Sequence, residues 1–463
     1  MENIIYDVYK KQTDFFKTNT TKNNEFIIQK LKRLKKEILS NYENIVDALK
    51  KDLNKSEQES YISEFLIVVE ELKTILKNIK KWSKIKKVKR NLLTIFSKSK
   101  IIKEPLGTVL IISPWNYPFQ LCLVPLIYAL AAGNTAILYP SLFTKKINQV
   151  IKNIISSVFE KEYVNIVTYE ECGYEEILKP NYSFIFFTGG VETGKKIMKQ
   201  ASEALTPICL ELGGKCPCII DQTADLDITA KRIIRGKILN SGQTCIAPDY
   251  ILVQKNMEEE LIKKLIKYIQ EFFVSDSYEQ NTKIINEFHF ERIINLLKKQ
   301  KILFMNGKIE KEKLFIPFAL VKVDNFENIL MKEEIFGPIL PIISFENIND
   351  EIKNIHKLYK PLALYIFSNS KQNQEFCIKN ISSGSVCIND TIMHLVNSNL
   401  PFGGVGHSGF GKYHGIEGFN LFCNIRSYLN TSNQLDSNLF YPPWTDKKIK
   451  FLKKFTRTNY CKK

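Results

Sequence analysis

The pattern of apolar and polar positions divides the chain into a helical beginning and a longer region in which strands and helices alternate. Over residues 1–90, apolar side chains recur every three or four positions, as in 26–38 and 62–76, and lysines occupy the other faces. From residue 107 onward, short runs of β-forming apolar residues alternate with helical patterns. This alternation predicts parallel βαβ units, with helices on both faces of the sheet.

Two consecutive series of these units are predicted. The first has strands at 108–112, 135–138, 164–168, 183–187 and 208–210. The second has strands at 218–220, 250–254, 302–305, 318–323, 340–344, 363–367 and 385–388. We therefore expect an α/β protein with two tandem doubly wound, Rossmann-like domains. A glycine-rich loop that approaches other backbone closely is expected at 400–418.

Composition narrows the class of protein. With 463 residues, of which 44% are apolar, the chain can bury more than one core, and this excludes a disordered chain or a disulfide-stapled miniprotein. Ten cysteines are too few for a disulfide scaffold, so we expect a reducing, cytoplasmic environment. The longest nearly uncharged apolar run, 119–133, is too short to span a bilayer, and no signal-peptide core is visible.

The net charge of +17 creates a field that attracts anions, but it names no partner, and we do not expect nucleic acid to be one. A more specific feature is the tail at 446–463, which holds eight Lys or Arg residues, with Ile449, Leu452 and Phe455 at helical spacing. A basic amphipathic helix of this kind can lie on an anionic membrane. A solvated tail explains the same pattern equally well.

One cysteine differs from the others in its surroundings. Cys245 lies in LNSGQTCIAPDY, behind a glycine, in a polar turn that follows a long helical pattern. Backbone N–H groups in such a turn can stabilise a thiolate, which makes Cys245 a candidate nucleophile. Taken alone, the motif is weak, because a single cysteine is more often a packing residue.

Two further candidates follow predicted strands. Glu211, in CLELGGK, ends a strand and can act on a ligand beyond the carboxyl edge of the sheet, although a solvated glutamate is the simpler interpretation. Asn116, in ISPWNYP, carries a side-chain N–H that can stabilise an oxyanion. In FTGGVETGK, Gly189 and Gly194 lie between a strand and a helix, where a pyrophosphate can approach the helix N-terminus. This pair is not the GxGxxG fingerprint.

Together with KEEIFGP at 332–338 and PFGGVGHSGFG at 401–411, these motifs form a recognisable series. In their order and separation they resemble the NAD(P)-dependent aldehyde dehydrogenase superfamily, from about residue 104 to residue 426. The segments NSGQTCIAPDY, EEIFGPILP, NDTIMH and PFGGVGHSGFGKYHG are similar to its class 3 and fatty aldehyde dehydrogenase branch. The resemblance implies oxidation of apolar, long-chain or aromatic aldehydes to carboxylic acids.

The resemblance also assigns roles to residues. Cys245 matches the nucleophile, Asn116 and the Cys245 N–H match the oxyanion hole, and Glu211 matches the base that activates water for thioester hydrolysis. For NAD or NADP, the matching positions are Gly189, Gly194, Glu334 and Phe336, and Trp115 and Tyr139 are added as neighbouring candidates.

The family's architecture implies three regions and a tail. Residues 1–87 and 107–212 would bind the cofactor, 213–400 would carry the catalytic thiol, and 88–106 with 420–435 would form an oligomerisation element. Residues 436–463 are the basic C-terminal tail. A homodimer is implied by the class 3 branch.

The chain departs from the family at the adenosine end of the cofactor site. Where the family usually has Lys-Pro-Ser-Glu, this chain has Tyr139, Pro140, Ser141 and Leu142, so both charged contacts to the ribose are missing. Each lost contact costs about 1 to 3 kcal/mol, and weakened or altered cofactor binding is therefore predicted. The Tyr139 O–H is predicted to donate to a ribose hydroxyl in their place.

Two alternatives remain open at this point. A cofactor-impaired relative could serve as a binding or scaffold protein on a membrane or nucleic acid, although Cys245, Glu211 and Asn116 are all retained. The same thiol could instead pass an acyl group to coenzyme A or act as an esterase. Retention of Glu211 favours hydrolysis, since water must be activated. No metal site is expected, because Cys216 and Cys218 form a CxC pair without a second pair or a suitably spaced histidine.

Overall fold

The computed structural model describes residues 4–273 and 281–460. Helices form the beginning of the chain, as the apolar spacing predicts. A π-helical turn, Tyr61–Phe65, interrupts them. The five helices are α1 (Ile4–Lys17), α2 (Asn24–Ser40), α3 (Tyr42–Leu53), α4 (Glu57–Ser60) and α5 (Leu66–Trp82).

The first series of βαβ units forms a six-stranded sheet. Its strands are β3 (Thr108–Ser113), β4 (Thr135–Pro140), β5 (Val164–Ile166), β6 (Phe184–Gly189), β7 (Ile208–Leu212) and β15 (Gly409–Phe410). The order is β15-β7-β6-β3-β4-β5, and every pairing is parallel except that of β15 with β7. Its helices are α6 (Gln120–Ala131), α7 (Lys145–Val158), α8 (Tyr174–Ile177) and α9 (Val191–Glu203).

The second series forms a seven-stranded sheet with the order β10-β11-β12-β9-β8-β13-β14. Its strands are β8 (Pro217–Ile220), β9 (Tyr250–Gln254), β10 (Lys301–Met305), β11 (Ala319–Lys322), β12 (Ile339–Phe345), β13 (Ala363–Phe367) and β14 (Ser385–Ile388). Only β10 runs antiparallel to its neighbour. Its helices are α10 (Leu226–Ile238), α11 (Glu258–Phe272), α12 (Glu287–Leu297), α13 (Ile348–Lys357) and α14 (Lys371–Asn380), and α15 (Gly415–Leu421) follows β15.

Both sheets reverse their winding direction once near the middle. In the first, the chain moves from β3 outward to β4 and β5 and then returns to β6 and β7 on the other side. In the second, it moves from β8 to β9, crosses to the edge strand β10, comes inward through β11 and β12, and then continues to β13 and β14 on the other side of β8. The prediction of two doubly wound sheets is confirmed. The edge strand β10 was predicted as a strand but not as antiparallel, because direction leaves no mark on strand composition. The two-residue β15 lies in the expected glycine-rich loop and was not predicted as a strand.

By compactness the chain divides into two units, and the first contains both α/β sheets (Met1–Ser83 and Pro105–Asn424). The division predicted near residue 213 falls in the short connection between β7 and β8. Strand interiors and α6 are almost entirely buried, as expected for parallel strands covered on both faces.

The second unit comprises Lys84–Glu104 and Ile425–Lys463. It contains a three-stranded sheet ordered β1-β2-β16, with β1 at Lys86–Lys87, β2 at Ser97–Pro105 and β16 at Cys423–Thr431. The β1–β2 pairing is antiparallel, and β1 lies just before the range predicted for the hairpin, 88–106. The basic tail forms α16 (Asp446–Tyr460), while its last three residues, 461–463, lie outside the described part. Within residues 4–273 and 281–460, no helix is long and apolar enough to cross a membrane.

Candidate active site

The Cys245 loop connects α10 to β9 and begins with a strained turn. Asn240, Ser241 and Gly242 have φ values of 53°, 52° and 72°, so three consecutive residues adopt the left-handed region that disfavours side chains. The turn persists because buried polar groups hold it. The N–H of Asn240 donates to the Glu59 carboxylate at 2.6 Å, which ties the loop to α4.

Asn116 is hydrogen-bonded to this loop. Its Nδ2 donates to the Gln243 carbonyl at 3.1 Å, and Asn240 Nδ2 donates to the same oxygen at 3.0 Å. Asn116 Nδ2 carries two protons, so one N–H remains after this bond to meet an oxyanion. The structure thus brings together the two predicted oxyanion-hole elements, the Asn116 amide and the loop that carries Cys245.

A buried ion pair lies beneath Asn116 and was missed from the sequence. Lys55 and Glu64 are fully buried and 2.7 Å apart, and Lys55 Nζ also donates to the Asn116 backbone carbonyl at 2.8 Å. The second Glu64 oxygen accepts the backbone N–H groups of Phe119 (3.1 Å) and Gln120 (2.9 Å), at the start of α6. No motif marks this pair, since its members lie in the helical beginning of the chain, far from any recognisable series.

The Cys245 thiol is half-buried and electrostatically held in its neutral form. Burial raises its pKa, and the negative charges of Glu334 and Glu211 raise it further, while backbone N–H groups at Cys245 and Ile246 act in the opposite direction. Glu211 and Glu334, which were predicted for two separate roles, therefore both raise the pKa of the Cys245 thiol.

Glu211 ends its strand as predicted, but it is buried rather than solvated. Its side chain is 3% exposed, and neither carboxyl oxygen has a hydrogen-bond partner within the described residues. Burial raises the pKa of this carboxyl well above its ordinary value, and the ammonium of Lys412 opposes that shift. The simpler interpretation of a solvated glutamate is wrong.

The Glu334 carboxyl packs against Gly213, where a side chain would displace it. A Cβ at Gly213 would lie 1.9 Å from Glu334 Oε2, and the Gly214 N–H stabilises the ionised carboxylate. Burial and the charge of Asp249 raise the Glu334 pKa to about 8. Its Oε1 is buried without a hydrogen-bond partner in the described part of the chain, as expected of an acceptor that awaits a ligand hydroxyl.

Two buried lysines surround Asp249 and were also missed. Lys215 Nζ lies 2.6 Å from Asp249 Oδ2, and the fully buried Lys237 lies 3.7 Å from Oδ1. Burial lowers the pKa of Lys237 to about 8. Asp249 also accepts the N–H of Ile335, so this cluster fixes the segment that carries Glu334. The polar segment PDY at 248–250, just after the cysteine, is the sequence feature that could have indicated this cluster.

The predicted aromatic residues of the cofactor site meet one another. The Trp115 and Phe336 rings pack edge to face, with centroids 5.5 Å apart, and His289 lies 5.6 Å from Trp115. Phe336 has a φ of 49°, which is uncommon for an aromatic residue and accompanies the tight turn after Glu334.

The glycines after β6 serve different purposes. A Cβ at Gly189 would meet the Phe187 ring at 2.5 Å, and one at Gly194 would meet Leu212 Cδ2 at 2.8 Å, so both permit close packing within the protein. Gly190 has open space where a side chain would be, and it is the N-cap of the 13-residue helix α9 without a side-chain cap. Gly190 therefore leaves the helix N-terminus accessible to a phosphate.

Tyr139 does not have the contact that was predicted for it. It is 4% exposed within β4, and its O–H donates to the Cys172 carbonyl at 2.9 Å. Its single proton is thus already used, and the prediction that it donates to a ribose hydroxyl is wrong. Leu142 is 38% exposed and apolar, so it offers no hydrogen bond in its place.

The residues present fit a nicotinamide dinucleotide at its reactive end. Glu334 offers an unsatisfied acceptor, Trp115 and Phe336 offer aromatic faces, and Gly190 leaves a helix N-terminus open. All of these groups adjoin the carboxyl edge of the first sheet, where open α/β sheets bind ligands. No group of three or more metal-ligating side chains capable of holding an ion occurs among the residues described.

Comparison with known proteins agrees with this site. Residues 10–428 match the sequence model of the aldehyde dehydrogenase family. The 4,4'-diaponeurosporen-aldehyde dehydrogenase of Staphylococcus aureus is 40% identical over 98% of this chain and 99% of its own. Aldehyde dehydrogenase family 3 member A2 of Mus musculus is 38% identical over 96% of this chain and 93% of its own. The solved substrate-bound state of Staphylococcus aureus AldH has a TM-score of 0.93 at 40% identity, and covers 98% of this chain and 99% of that chain.

These matches extend over both sheets and nearly the whole chain. They give no support to the scaffold interpretation, and they confirm the class 3 resemblance of the motifs. The chain belongs to the aldehyde dehydrogenase family, in its class 3-like branch, and is an NAD(P)-dependent enzyme that oxidises aldehydes.

Proposed function

We propose that Cys245 is the nucleophile and attacks the aldehyde carbonyl. The observation that carries this proposal is the hydrogen bond between Asn116 Nδ2 and the Gln243 carbonyl, because it fixes an amide donor beside the cysteine loop. The thiol first gives its proton to water, and the resulting thiolate forms a carbon–sulfur bond and places the negative charge on the former carbonyl oxygen. The remaining Asn116 N–H and the Cys245 N–H stabilise that charge.

The hemithioacetal then becomes a thioester. The nicotinamide, when bound, is the hydride acceptor for this step. Glu334, Trp115 and Phe336 would hold the reactive end of the cofactor, and the open N-terminus of α9 at Gly190 would bind its pyrophosphate. Residues 1–87 and 107–212 would form the cofactor domain and 213–400 the catalytic domain.

Hydrolysis of the thioester needs a base, and we assign this role to Glu211. Ionised Glu211 accepts a proton from water, the hydroxide adds to the acyl carbon, and the carbon–sulfur bond breaks to release a carboxylic acid. Burial without hydrogen-bond partners within the described residues leaves both Glu211 oxygens available for the water. Retention of this carboxyl favours hydrolysis over transfer to coenzyme A.

The substrate we propose is an apolar aldehyde with a long or conjugated chain. Support comes from the relative that is 40% identical and whose name specifies 4,4'-diaponeurosporen-aldehyde, and from the similarity to the class 3 branch.

The three-stranded sheet of the second unit supports a proposed homodimer. β16 is an edge strand of nine residues, exposed from its second residue onward. Ile425 and Leu429 lie on one face of it and are 53% and 57% exposed. A long apolar edge strand is a template for pairing with another chain, and a second copy of this protein is the partner we propose.

The basic helix α16 supports peripheral membrane contact. Lys447 and Lys450 are exposed, and Ile449 near them is 40% exposed, as is required of a helix that lies in a lipid interface. Trp444, immediately before the helix, is 62% exposed and suits the interfacial region. We propose that α16 binds anionic lipid and brings the enzyme close to apolar substrates.

Replacing the nucleophile and the base should separate the two halves of the reaction. With decanal and NAD or NADP, we expect Cys245→Ser to form no reduced nicotinamide above background, while Cys387→Ser, at another half-buried cysteine, retains activity. Glu211→Gln should give a rapid first turnover followed by a steady rate that is about 10² to 10⁴ times slower. Stopped-flow absorbance measures both phases, and activity in Cys245→Ser would contradict the covalent mechanism.

The charge of Glu334 should control the reactivity of Cys245 in the free enzyme. Glu334 is ionised above its pKa of about 8, and its charge raises the thiol pKa. At pH 9, iodoacetamide should therefore modify Cys245 about three to ten times faster in Glu334→Gln than in the wild type. At pH 6.5 the two rates should converge, because Glu334 is then largely neutral. Peptide mass spectrometry measures the rate, Glu333→Gln is the control, and equal rates at pH 9 would contradict the coupling.

A charge placed in the proposed dimer interface should weaken the dimer. The wild type should sediment as a dimer, and Leu429→Asp should shift it toward monomer, because the carboxylate would be desolvated at the interface. Asn430→Asp adds the same charge on the opposite face of β16 and serves as the control. Analytical ultracentrifugation gives the answer, and a monomeric wild type would overturn the proposal.

Membrane contact through α16 predicts a charge-dependent flotation. The full chain should float with vesicles of phosphatidylcholine and phosphatidylserine but not with phosphatidylcholine alone. The double variant Lys447→Glu/Lys450→Glu should remain in the soluble fraction. The double variant Lys32→Glu/Lys36→Glu, with the same charge change on α2, should still float. Equal flotation of the two double variants would contradict a specific role for α16.

A further inference from the structure

Lys412 lies immediately behind the proposed general base. β15 pairs antiparallel with β7, and this register places Gly409 opposite Glu211 and Phe410 opposite Leu210. The chain then turns back at Gly411, so that Lys412 follows directly on the strand that covers Glu211.

The two side chains meet at one glycine. A Cβ at Gly403 would lie 2.6 Å from Glu211 Oε1 and 3.1 Å from Lys412 Cδ, so only a residue without a side chain fits between them. Lys412 Nζ donates to the carbonyl oxygen of Gly403 and, at 3.0 Å, to that of Gly384. These two bonds hold the ammonium in place beside the carboxyl.

The other titratable groups near Glu211 carry no positive charge. They are Cys209 on the same strand, Tyr413 next to Lys412, and the Cys245 thiol. Burial raises the pKa of all three, which keeps them neutral near neutral pH. Lys412 is therefore the cation, among the residues described, whose charge acts on Glu211.

We propose that Lys412 is a positioning residue whose fixed ammonium favours the ionised form of Glu211 and so enables water activation in thioester hydrolysis. The proposal deepens the function proposed above and rests on Glu211 being the base. Ionised Glu211 takes a proton from water, the hydroxide adds to the thioester carbon, the carbon–sulfur bond breaks, and the Cys245 thiolate leaves. Burial lowers the pKa of Lys412 and the charge of ionised Glu211 raises it, so an ionised Glu211 and a charged Lys412 stabilise each other. The ammonium neither gives nor takes a proton in the step, and it offsets the cost of a carboxylate in a buried site.

A test can isolate hydrolysis without any cofactor. p-Nitrophenyl acetate acylates Cys245 and releases p-nitrophenolate in a burst, and the following steady release reports hydrolysis of the acetyl-thioester. Both phases are measured across pH 5 to 9 for the wild type, Lys412→Gln, Lys412→Met and Lys412→Arg. Gln keeps hydrogen-bond donors toward the two carbonyls but removes the charge, so it separates charge from local structure. Lys196→Met, an exposed lysine on α9, is the control.

We expect the acid limb of the steady rate to move about one pH unit higher in Lys412→Gln and Lys412→Met, while the burst amplitude is unchanged. Lys412→Arg should restore the wild-type limb, and Lys196→Met should leave it in place. An unshifted limb in Lys412→Gln, with a normal burst, would overturn the role of Lys412. Glu211→Gln distinguishes failure of the Lys412 proposal from failure of the proposed function, because a normal steady rate in that variant would refute Glu211 as the base.

Discussion

A hydrogen-bonded tie between two distant loops is the constraint on which the site depends. The Asn116 amide and the Asn240 amide both donate to the Gln243 carbonyl, two residues before Cys245. Each partner is itself fixed, since Lys55 holds the Asn116 carbonyl and Glu59 holds the Asn240 N–H. The left-handed turn at 240–242 is unfavourable in isolation, so these buried bonds keep it formed. The helical beginning of the chain thus supports the chemistry although it contributes no reacting atom.

The second feature of the site is that burial favours the neutral forms of its thiol and its two carboxyl groups. Burial raises the pKa values of Cys245, Glu211 and Glu334, and nearby carboxylates raise those of Cys245 and Glu334 further. A neutral thiol is protected from oxidation and alkylation when no substrate is present. The charge of Lys412 acts in the opposite direction and favours the ionised form of Glu211. A bound oxidised nicotinamide would bring a further positive charge to the site.

The sequence predicted most of the framework for a physical reason. Parallel strands covered on both faces appear as continuous apolar runs, so the parallel strands of both sheets were predicted nearly at their observed bounds. Cys245, Glu211 and Asn116 were found because each lies in a short motif at the end of an element. Lys55 escaped prediction, because a buried ion pair is defined by tertiary contacts and has no periodicity of its own. Tyr139 was misjudged for the same reason, since only the fold shows that its hydroxyl faces the Cys172 carbonyl.

The central claim is that Cys245 carries the acyl group during turnover, and one mass measurement tests it. The Glu211→Gln variant is mixed with decanal and NAD or NADP, quenched in acid within the first turnover, and digested. The account predicts that the peptide containing Cys245 gains the mass of a decanoyl group, and that no other cysteine peptide does. Reduced nicotinamide formed in the same sample without acyl mass on Cys245 would contradict it.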